Sequence, residues 1–305
     1  MSEMKICFLG TGGGMPSKKR GMPSIAVRLK SSLILFDCGE GTQRQLIHAG
    51  LGMKPNLHIF ITHLHGDHVL GLPGLLFTLS MNGRSEDVHV SGPPGINGFL
   101  STVMIPQLGR LTFNVRVSEI NPGDTIKIDE ATITCFKTEH TTLSYGYVLQ
   151  ESSRPGRMRE QFLDSLGVPR GPLWGMLQRG KPITFNNRVI TPEEAMDPPR
   201  PGRKIVYTGD TRPCKNVVEA ARSADVLIHD STFDSSLRNK ALEEGHSTAF
   251  EAAETARNAG VKRLYLFHIS PRYEDVDVLL TEARKVFRES YLAEDLECYA
   301  VPFTR

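Results

Sequence analysis

The apolar and polar positions of this chain alternate in blocks, with short apolar runs separated by amphipathic or polar stretches. Short runs bounded by turn residues are typical of buried strands, whereas longer stretches with helical periodicity predict helices. Apolar runs lie near residues 4–9, 24–29, 31–37, 57–61, 88–91, 204–208, 225–229, 263–268 and 296–300, and helix-like stretches lie at 214–222, 247–259 and 275–288. This alternation predicts an α/β fold in which helices cover sheets.

One predicted helix has a defined start and end. Thr248 and Glu251 have the spacing of a capping box, in which the two residues satisfy each other's free backbone N–H groups. Gly260 is suited to ending the helix that follows. His246 precedes the start of this helix, so it lies in a loop, where it either packs at the helix entrance or faces a functional site.

The segment from about 151 to 201 breaks the alternation. It is rich in Gly, Pro and Arg and holds the only tryptophan, Trp174. Between Gln150 and Phe185, six cations stand against three anions, a local net charge of +3; the cations are Arg154, Arg157, Arg159, Arg170, Arg179 and Lys181. A long stretch without regular structure inside a compact domain is functional or disordered. The alternative is a solvated insertion that merely tolerates charge.

Composition narrows the class of protein. The length of 305 residues permits one large domain or two smaller ones, and the 39% hydrophobic content is ordinary for a soluble protein. No apolar run approaches the roughly 18 residues of a membrane span, and no signal-peptide pattern begins the chain. Five scattered cysteines without a Cys-x-x-Cys pair predict free thiols in a reducing cytoplasm. The net charge of +2 neither favours nor excludes binding to nucleic acid.

The densest chemical signal is the stretch His63-Leu64-His65-Gly66-Asp67-His68, which directly follows an apolar run. Imidazoles and carboxylates are ligands that zinc prefers. Alternate residues of an extended segment point to the same side, so His63 and His65 can bind one ion. A turn at Gly66 directs Asp67 and His68 toward a second position. The stretch therefore predicts half of a two-metal site.

Three further candidate ligands each follow a strand-like run, where a side chain is presented at the edge of a sheet: His140, Asp210 and His268. In contrast, His58 and His89 lie inside strand-like runs and are predicted to be structural. His48 ends a predicted helix, where a cation interacts favourably with the helix dipole.

The glycine-rich loop from Gly10 to Gly21 lacks both a Gly-Lys-Ser/Thr ending and a dinucleotide fingerprint. A nucleotide cofactor is therefore not expected. Lys18 and Arg20 in this loop are candidate phosphate contacts, and a solvated turn is the alternative.

In this order, His63, His65, Asp67, His68, His140, Asp210 and His268 resemble the ligand set of the metallo-β-lactamase superfamily. Within it, the chain most resembles the ribonuclease Z family, on segments that surround the ligands: Phe36–Gln43, His140–Tyr147, Gly209–Pro213, His246–Thr248 and His268–Tyr273. The resemblance implies an αββα four-layer sandwich, with residues 1–305 as a single metallo-β-lactamase-like domain and 151–201 as an inserted flexible arm.

The resemblance also implies roles for the site residues. Two Zn²⁺ ions per subunit are expected, although Mn²⁺ or another divalent ion is an alternative. His63, His65 and His140 would bind the first ion and Asp67, His68 and His268 the second, with Asp210 bridging both. Asp67 would also orient the water that the two metals activate. His246 would act as a general acid toward the departing 3′ oxygen.

In the ribonuclease Z family the arm grips the tRNA elbow and serves the active site of the partner subunit in a homodimer. Gly167–Trp174 resembles the tip of that arm, and its cations would contact phosphates. The loop carrying Pro16, Lys18 and Arg20 matches a family loop near the scissile end. Gly21 stands where the family often has asparagine, which leaves the cut position relative to CCA open.

The resemblance implies a cytoplasmic endoribonuclease that cleaves the 3′ trailer from precursor tRNA near the discriminator nucleotide. The products would be a 3′-hydroxyl on the tRNA and a 5′-phosphate on the trailer. One alternative is a small-molecule hydrolase of the superfamily, such as a thioesterase, sulfatase or general phosphodiesterase, which needs no basic arm. A catalytically silent RNA-binding module is disfavoured because all seven ligand positions are filled.

Overall fold

Two seven-stranded mixed sheets form the larger of two compact units, which comprises residues 1–150 and 204–302. The computed structural model describes residues 4–52, 56–104 and 109–303. In spatial order, the first sheet consists of β16 (Cys298–Ala300), β1 (Lys5–Gly10), β2 (Ser24–Leu29), β3 (Ser32–Phe36), β4 (Asn56–Phe60), β5 (Val88–Gly92) and β6 (Val115–Glu119). The second consists of β15 (Ser290–Leu292), β14 (Leu264–Phe267), β13 (Val226–Asp230), β12 (Lys204–Tyr207), β9 (Tyr145–Glu151), β8 (Ala131–Lys137) and β7 (Thr125–Ile128).

Helices cover the outer face of each sheet. The helices of the first half are α1 (Thr42–His48), α2 (Gly66–Val69), α3 (Gly71–Met81) and α4 (Ile96–Val103). Those of the second half are α8 (Lys215–Ala221), α9 (Arg238–Glu244), α10 (Ala249–Ala259) and α11 (Asp277–Val286), with a 3₁₀ turn at Ser235–Leu237.

The central core lies between the two sheets, where side chains of both sheets interdigitate. Phe8 of β1 packs on Tyr265 of β14 with ring centroids 4.8 Å apart, and Phe36 of β3 stacks on Tyr147 of β9 at 5.7 Å. Two further apolar clusters bury the outer face of each sheet under its helices. Because every central strand is buried on both faces, the apolar runs of the sequence are continuous. The predicted αββα sandwich is confirmed.

Several features predicted from local sequence patterns are present in the structure. Thr248 caps α10, accepting a hydrogen bond from the Glu251 backbone at 3.2 Å, and Glu251 accepts in return from the Thr248 backbone at 3.0 Å. Gly260 ends the helix with φ 64°. His48 is the last residue of α1, as predicted. His58 and His89 lie inside β4 and β5, with their rings stacked 4.8 Å apart.

The prediction of free thiols throughout was wrong for one pair. Cys7 and Cys298 form a disulfide between β1 and β16, where they are register partners. They are 291 residues apart in sequence, so no local spacing indicated the pairing. Cys38 and Cys135 are buried free thiols, and Cys214 is a partly exposed one.

The second unit comprises residues 151–203 and 303–305 and is called the arm here. It contains three helices, α5 (Glu160–Ser165), α6 (Pro172–Gln178) and α7 (Pro192–Ala195), and a hairpin of β10 (Ile183–Phe185) and β11 (Arg188–Ile190). Its core is built from six buried residues, Leu163, Val168, Leu177, Ile183, Ile190 and Ala195. The expectation of a structureless stretch was therefore wrong. Glycine and proline shape the turns of a small folded unit.

The two ends of the arm run side by side as a stalk. Arg154 and Arg200 exchange both backbone hydrogen bonds at 2.8 Å, and Asp197 donates to the Arg157 carbonyl at 2.8 Å. The Arg154 guanidinium lies over the ring of Phe303, 3.5 Å from its centroid. These contacts fix where the insertion begins and ends.

Truncating a buried residue of the arm core is expected to unfold the arm. Leu177 is fully buried, and a Leu→Ala change in such a site costs about 2–5 kcal/mol. The chain has a single tryptophan, and Trp174 packs against this core. Its fluorescence therefore reports on the arm. We expect Leu177→Ala to lower the midpoint of the Trp174 thermal transition, and Val189→Ala, at a position that is 59% exposed, to leave it unchanged.

Among the residues that the structure describes, no helix is long and apolar enough to cross a membrane.

Candidate metal centre

The seven candidate ligands converge at one edge of the sandwich. They arrive on four separate segments: the stretch from the end of β4 through α2, and the loops that follow β8, β12 and β14. The carboxyl ends of parallel strands meet at the same edge of a sheet, and β12, β13 and β14 are parallel. Loops that are distant in sequence therefore deliver their side chains to one place.

Among the described residues, three overlapping groups have the donor atoms to hold a metal ion, with the donor atoms of each group within 4.8 Å of one another. The groups are His63, His65, His140 and Asp210; Asp67, His68 and His268; and Asp210, His246 and His268. Asp210 belongs to two of them and lies at the centre. Its Oδ1 is 3.3 Å from His68 Nε2, and its Oδ2 is 3.6 Å from His63 Nε2 and 3.3 Å from His268 Nε2.

The residues present fit divalent metal ions. Within the described part of the chain, His63 Nε2 is buried and has no hydrogen-bond partner, although buried polar atoms are normally paired. Ligands at 2.0–2.1 Å from a tetrahedral zinc lie roughly 3.3 Å apart. His140 Nε2 and His65 Nδ1 are 3.2 Å apart, and His268 Nε2 and Asp67 Oδ2 are 3.3 Å apart. The spacing and the chemistry of the donors both suit zinc.

The protonation states of His63 and Asp210 agree with metal binding, whereas His68 must release a proton. Burial would lower the pKa of His68, but Asp210 and Asp37 raise it well above its usual range. Burial lowers the pKa of His63 well below its usual range, so its imidazole is neutral. Burial alone would raise the pKa of Asp210, but the neighbouring His268 and His68 hold it well below its usual range. Metal ligands must be neutral imidazoles and ionised carboxylates. His63 and Asp210 are therefore ready to bind without a change of protonation.

A second layer of groups orients the ligand imidazoles. Asp37 Oδ2 contacts His68 Nδ1 at 2.7 Å and accepts a hydrogen bond from the Tyr207 hydroxyl at 2.7 Å. Asp37 Oδ1 also accepts from the Thr62 backbone at 2.7 Å. Asp37 is fully buried. A carboxylate behind a ligand histidine fixes its tautomer and makes it a better donor.

Three other ligand histidines are held by hydroxyl or carbonyl oxygens behind them. Nδ1 of His63 contacts Thr62 Oγ1 at 2.9 Å, Nδ1 of His268 contacts Thr232 Oγ1 at 2.9 Å, and Nδ1 of His140 contacts the Gly245 carbonyl at 2.8 Å. Gly13 leaves room for the His268 ring, since a Cβ there would lie 2.4 Å from it. The sequence did not identify these supporting groups.

Removal of the Asp37 carboxylate is expected to weaken metal binding. In Asp37→Ala, His68 loses the partner that fixes its ring, and the buried Tyr207 hydroxyl and Thr62 N–H lose their acceptor. Loss of such a supporting group reduces metal affinity or activity by about 10–100-fold. Zinc titration against a competing chelator measures the change. An affinity equal to that of the unaltered protein would show that Asp37 serves the fold only.

His246 lies beside the ligands and is paired with a carboxylate of its own. Its Nδ1 is 2.8 Å from Asp230 Oδ2 and 3.9 Å from Asp210 Oδ2. Asp230 is fully buried and also accepts hydrogen bonds from Thr232 and from the Thr211 backbone. Burial by itself lowers the pKa of His246, but the Asp230 carboxylate outweighs it and raises this pKa to about 9. The imidazole is therefore protonated at neutral pH.

Asp37 and Asp230 were not predicted as site residues. Both are carboxylates that directly follow an apolar strand-like run, the signal that identified Asp210. That signal alone does not say which strand end faces the ligands.

The candidate phosphate contacts divide into exposed and occupied side chains. Lys18 is exposed, whereas Arg20 is 7% exposed and donates to Thr11, to the Ala293 carbonyl and to Glu294. Its guanidinium is buried and bound to groups of the fold, which argues against a phosphate contact.

In the arm, Arg157, Arg179 and Lys181 are exposed and form no ion pair with any residue that the structure describes. Arg159 pairs with Asp197 at 3.2 Å, and Arg170 pairs with Glu160 at 2.8 Å. Arg154 is partly exposed and stacks on Phe303.

The chain is similar to known proteins over nearly its whole length. A family model described as "Beta-lactamase superfamily domain" matches residues 195–269, and one described as "Anti-Pycsar protein Apyc1" matches 4–154. Ribonuclease Z of Methanosarcina mazei is 46% identical over 301 residues, which cover 98% of this chain and 99% of the relative. Ribonuclease Z of Archaeoglobus fulgidus is 46% identical over 303 residues, 98% of each chain.

Solved structures are also similar to this chain over nearly its whole length. The crystal structure of human tRNase Z, short form (ELAC1), superposes with a TM-score of 0.72 at 30% identity, covering 98% of this chain and 100% of that one. The metallo-β-lactamase fold protein YhfI from Bacillus subtilis has a TM-score of 0.70 at 19% identity, covering 98% and 99%. The latter likeness concerns the fold alone.

Proposed function

The chain belongs to the ribonuclease Z family, and we propose how its residues divide the work of cleaving precursor tRNA. It is a metal-dependent endoribonuclease that processes the 3′ end of tRNA. The observation that carries the proposal is the convergence of seven ligand side chains, with His246 beside them, at one edge of the sandwich.

Two Zn²⁺ ions are the proposed cofactors. His63, His65 and His140 would hold one, Asp67, His68 and His268 would hold the other, and Asp210 would serve both, in keeping with the groups and distances above. When bound, two such ions neutralise charge that develops on the scissile phosphate and lower the pKa of a water molecule to about 7.

Asp67 is proposed to position the attacking water. Its Oδ2 accepts a hydrogen bond from the Gly14 backbone at 2.8 Å and lies 3.3 Å from His268 Nε2. Its Oδ1 accepts no hydrogen bond from any residue that the structure describes. A carboxylate oxygen in this position can hold and orient a water molecule for in-line attack.

His246 is proposed to protonate the 3′ oxygen that leaves from the tRNA. This oxygen is a poor leaving group, so its departure needs a proton donor. His246 has a pKa raised to about 9 and is held by Asp230. The products would be a 3′-hydroxyl on the tRNA and a 5′-phosphate on the trailer.

The His246–Asp230 pair predicts a pH dependence. Because the His246 pKa is raised, the acid form persists at neutral pH and the rate falls only as pH rises through that value. Asp230→Asn removes the charge that raises the pKa, so the pKa moves toward its ordinary value of 6.5. We expect the alkaline limb of the kcat profile to shift to lower pH by about one unit or more. A limb that stays in place would assign it to another group.

The arm is proposed to hold the tRNA body. Arg157, Arg179 and Lys181 present exposed charge for phosphates, with Lys18 as a further contact on the larger unit. Removing one cation that binds a phosphate should reduce the slope of log affinity against log salt by about 1. The triple change of Arg157, Arg179 and Lys181 to glutamine should raise KM for precursor tRNA and flatten that slope. Matched Arg→Lys changes at 157 and 179 keep the charge and should preserve the slope.

We also propose that two copies assemble through α3. Leu70, Phe77 and Met81 follow one another at helical spacing, and Leu70 and Met81 are 56% and 89% exposed. Ile47 of α1 is 62% exposed. Apolar stripes of this kind mark interaction surfaces. Met81→Glu should shift the mass measured by light scattering toward that of a monomer. Met15→Glu, at an exposed residue outside α3, should leave the measured mass unchanged.

The test of the whole proposal is cleavage of a labelled precursor tRNA with a 3′ trailer, with and without chelator, mapped at nucleotide resolution. We expect one chelator-sensitive cut near the discriminator, which also settles its place relative to CCA. Asp67→Ala is the control for contaminating nucleases. Intact RNA with metal-loaded protein would instead favour a small-ester hydrolase. The cytoplasm is the proposed location.

A further inference from the structure

Arg212 connects three loops that deliver site residues, although it contacts no reacting group itself. It follows Asp210 by two positions in the loop after β12. Its backbone N–H donates to the carbonyl of Glu139, the neighbour of His140, at 2.6 Å. Its side-chain Nη1 donates to the carbonyl of His246 at 2.6 Å. The loops of Asp210, His140 and His246 therefore meet on one arginine.

The Arg212 side chain is itself fixed by an ion pair. Nη1 and Nη2 lie 3.1 and 2.9 Å from the two carboxylate oxygens of Glu251, a residue that is only 4% exposed. Glu251 also closes the capping box with Thr248, which starts α10 directly after the His246 loop. A two-pronged Arg–carboxylate pair has defined geometry as well as strength. Arg212 thus holds both ends of the short segment from His246 to Thr248.

A second arginine on the same carboxylate offers a comparison. Arg238 of α9 donates from Nε to Glu251 Oε1 at 3.1 Å, and its side chain is 71% exposed. Among the contacts of the described residues, it makes none to His246. Arg238 therefore shares the counter-ion of Arg212 without sharing the link to the loop.

We propose that Arg212 is a positioning residue that sets the location of His246 relative to Asp210, and so the approach of the proton donor to the leaving 3′ oxygen. The inference rests on the proposed role of His246 as general acid. Proton transfer requires the donor within hydrogen-bond reach of the oxygen. A displacement of about 1 Å in a reacting group can cost about 10²-fold in rate. The side chain of Arg212 acts on the loop through the main chain, so its removal should displace His246 and leave the seven ligands in place.

Two substrates with different leaving groups distinguish this positioning role from a general structural one. In precursor tRNA a ribose 3′ oxygen leaves and needs a proton, whereas in bis(p-nitrophenyl) phosphate the stable p-nitrophenolate leaves without one. We expect Arg212→Gln to lower kcat for precursor tRNA by about 10²-fold, with KM little changed. The rate for bis(p-nitrophenyl) phosphate and the bound zinc, measured by mass spectrometry, should equal those of the unaltered enzyme. Arg238→Gln should leave all four quantities unchanged.

Arg212→Lys provides a second variant if the glutamine variant does not fold. It keeps a cation beside Glu251 but cannot hold the carboxylate with two nitrogens and the carbonyl of His246 together. We expect it to show the same selective decrease for precursor tRNA, smaller in size.

Two results would overturn the inference. Equal decreases on both substrates, together with loss of zinc, would make Arg212 a support of the metal centre. Unchanged kcat on precursor tRNA would show that the loop holds His246 without it. Failure of the proposed function itself gives a different pattern, because His246→Ala would then leave the ratio of the two substrates unchanged.

Discussion

Replacing Asp210 by asparagine is expected to nearly abolish the cleavage of precursor tRNA. Asp210 lies within 3.6 Å of three ligand histidines and is common to two of the three donor groups. The neutral amide removes the negative charge at the centre of the site, where metal ions contribute several kcal/mol to catalysis. At about 1.4 kcal/mol for each factor of ten, a decrease of roughly 10³-fold or more follows. Both precursor tRNA and bis(p-nitrophenyl) phosphate should be affected, since both need the metals.

The matched control for this change is a partly buried carboxylate outside the site. Asp295 accepts hydrogen bonds from Thr11 and from the Gly21 backbone and belongs to none of the donor groups. Asp295→Asn should keep its zinc and its rate on the small diester. An Asp210→Asn enzyme with full zinc and an unchanged rate would remove Asp210 from the proposed bridging position.

Replacement of His246 by alanine is expected to be the second largest effect, and a selective one. General acid catalysis contributes about 10²–10⁴-fold, so kcat on precursor tRNA should fall by that factor. Hydrolysis of bis(p-nitrophenyl) phosphate should change little, because its leaving group needs no proton. The exposed residue His48, at the end of α1, supplies the control: His48→Ala should leave both rates as they are.

The His246→Ala experiment also tests whether His246 is a metal ligand instead of an acid. His246 belongs to one donor group together with Asp210 and His268. If His246→Ala loses zinc and slows both substrates equally, the imidazole acts as a ligand and not as an acid. The ratio of the two rates, with the zinc content beside it, decides between these roles.

The sequence alone determined much of this protein. The short stretch from His63 to His68, and three further ligands that each follow an apolar run, predicted which side chains meet. These signals are local: a turn, a strand end and a helix cap are set by neighbouring residues. The capping box of α10 was predicted for the same reason, and the structure shows both of its hydrogen bonds.

Only the tertiary structure decided how the site is supported. Asp37 accepts from Tyr207, 170 residues away, and Arg212 joins the loop of His246 to that of Asp210. Arg20 was expected to face RNA, but Glu294 and the Ala293 carbonyl occupy its guanidinium. The disulfide between Cys7 and Cys298 and the folded core of the arm were likewise not predictable from the sequence. The spacing of residues along the chain predicts which side chains one segment places on the same side. Which distant residue each side chain contacts depends on tertiary packing, because the loops reach their final positions only when the sheets and helices have packed together.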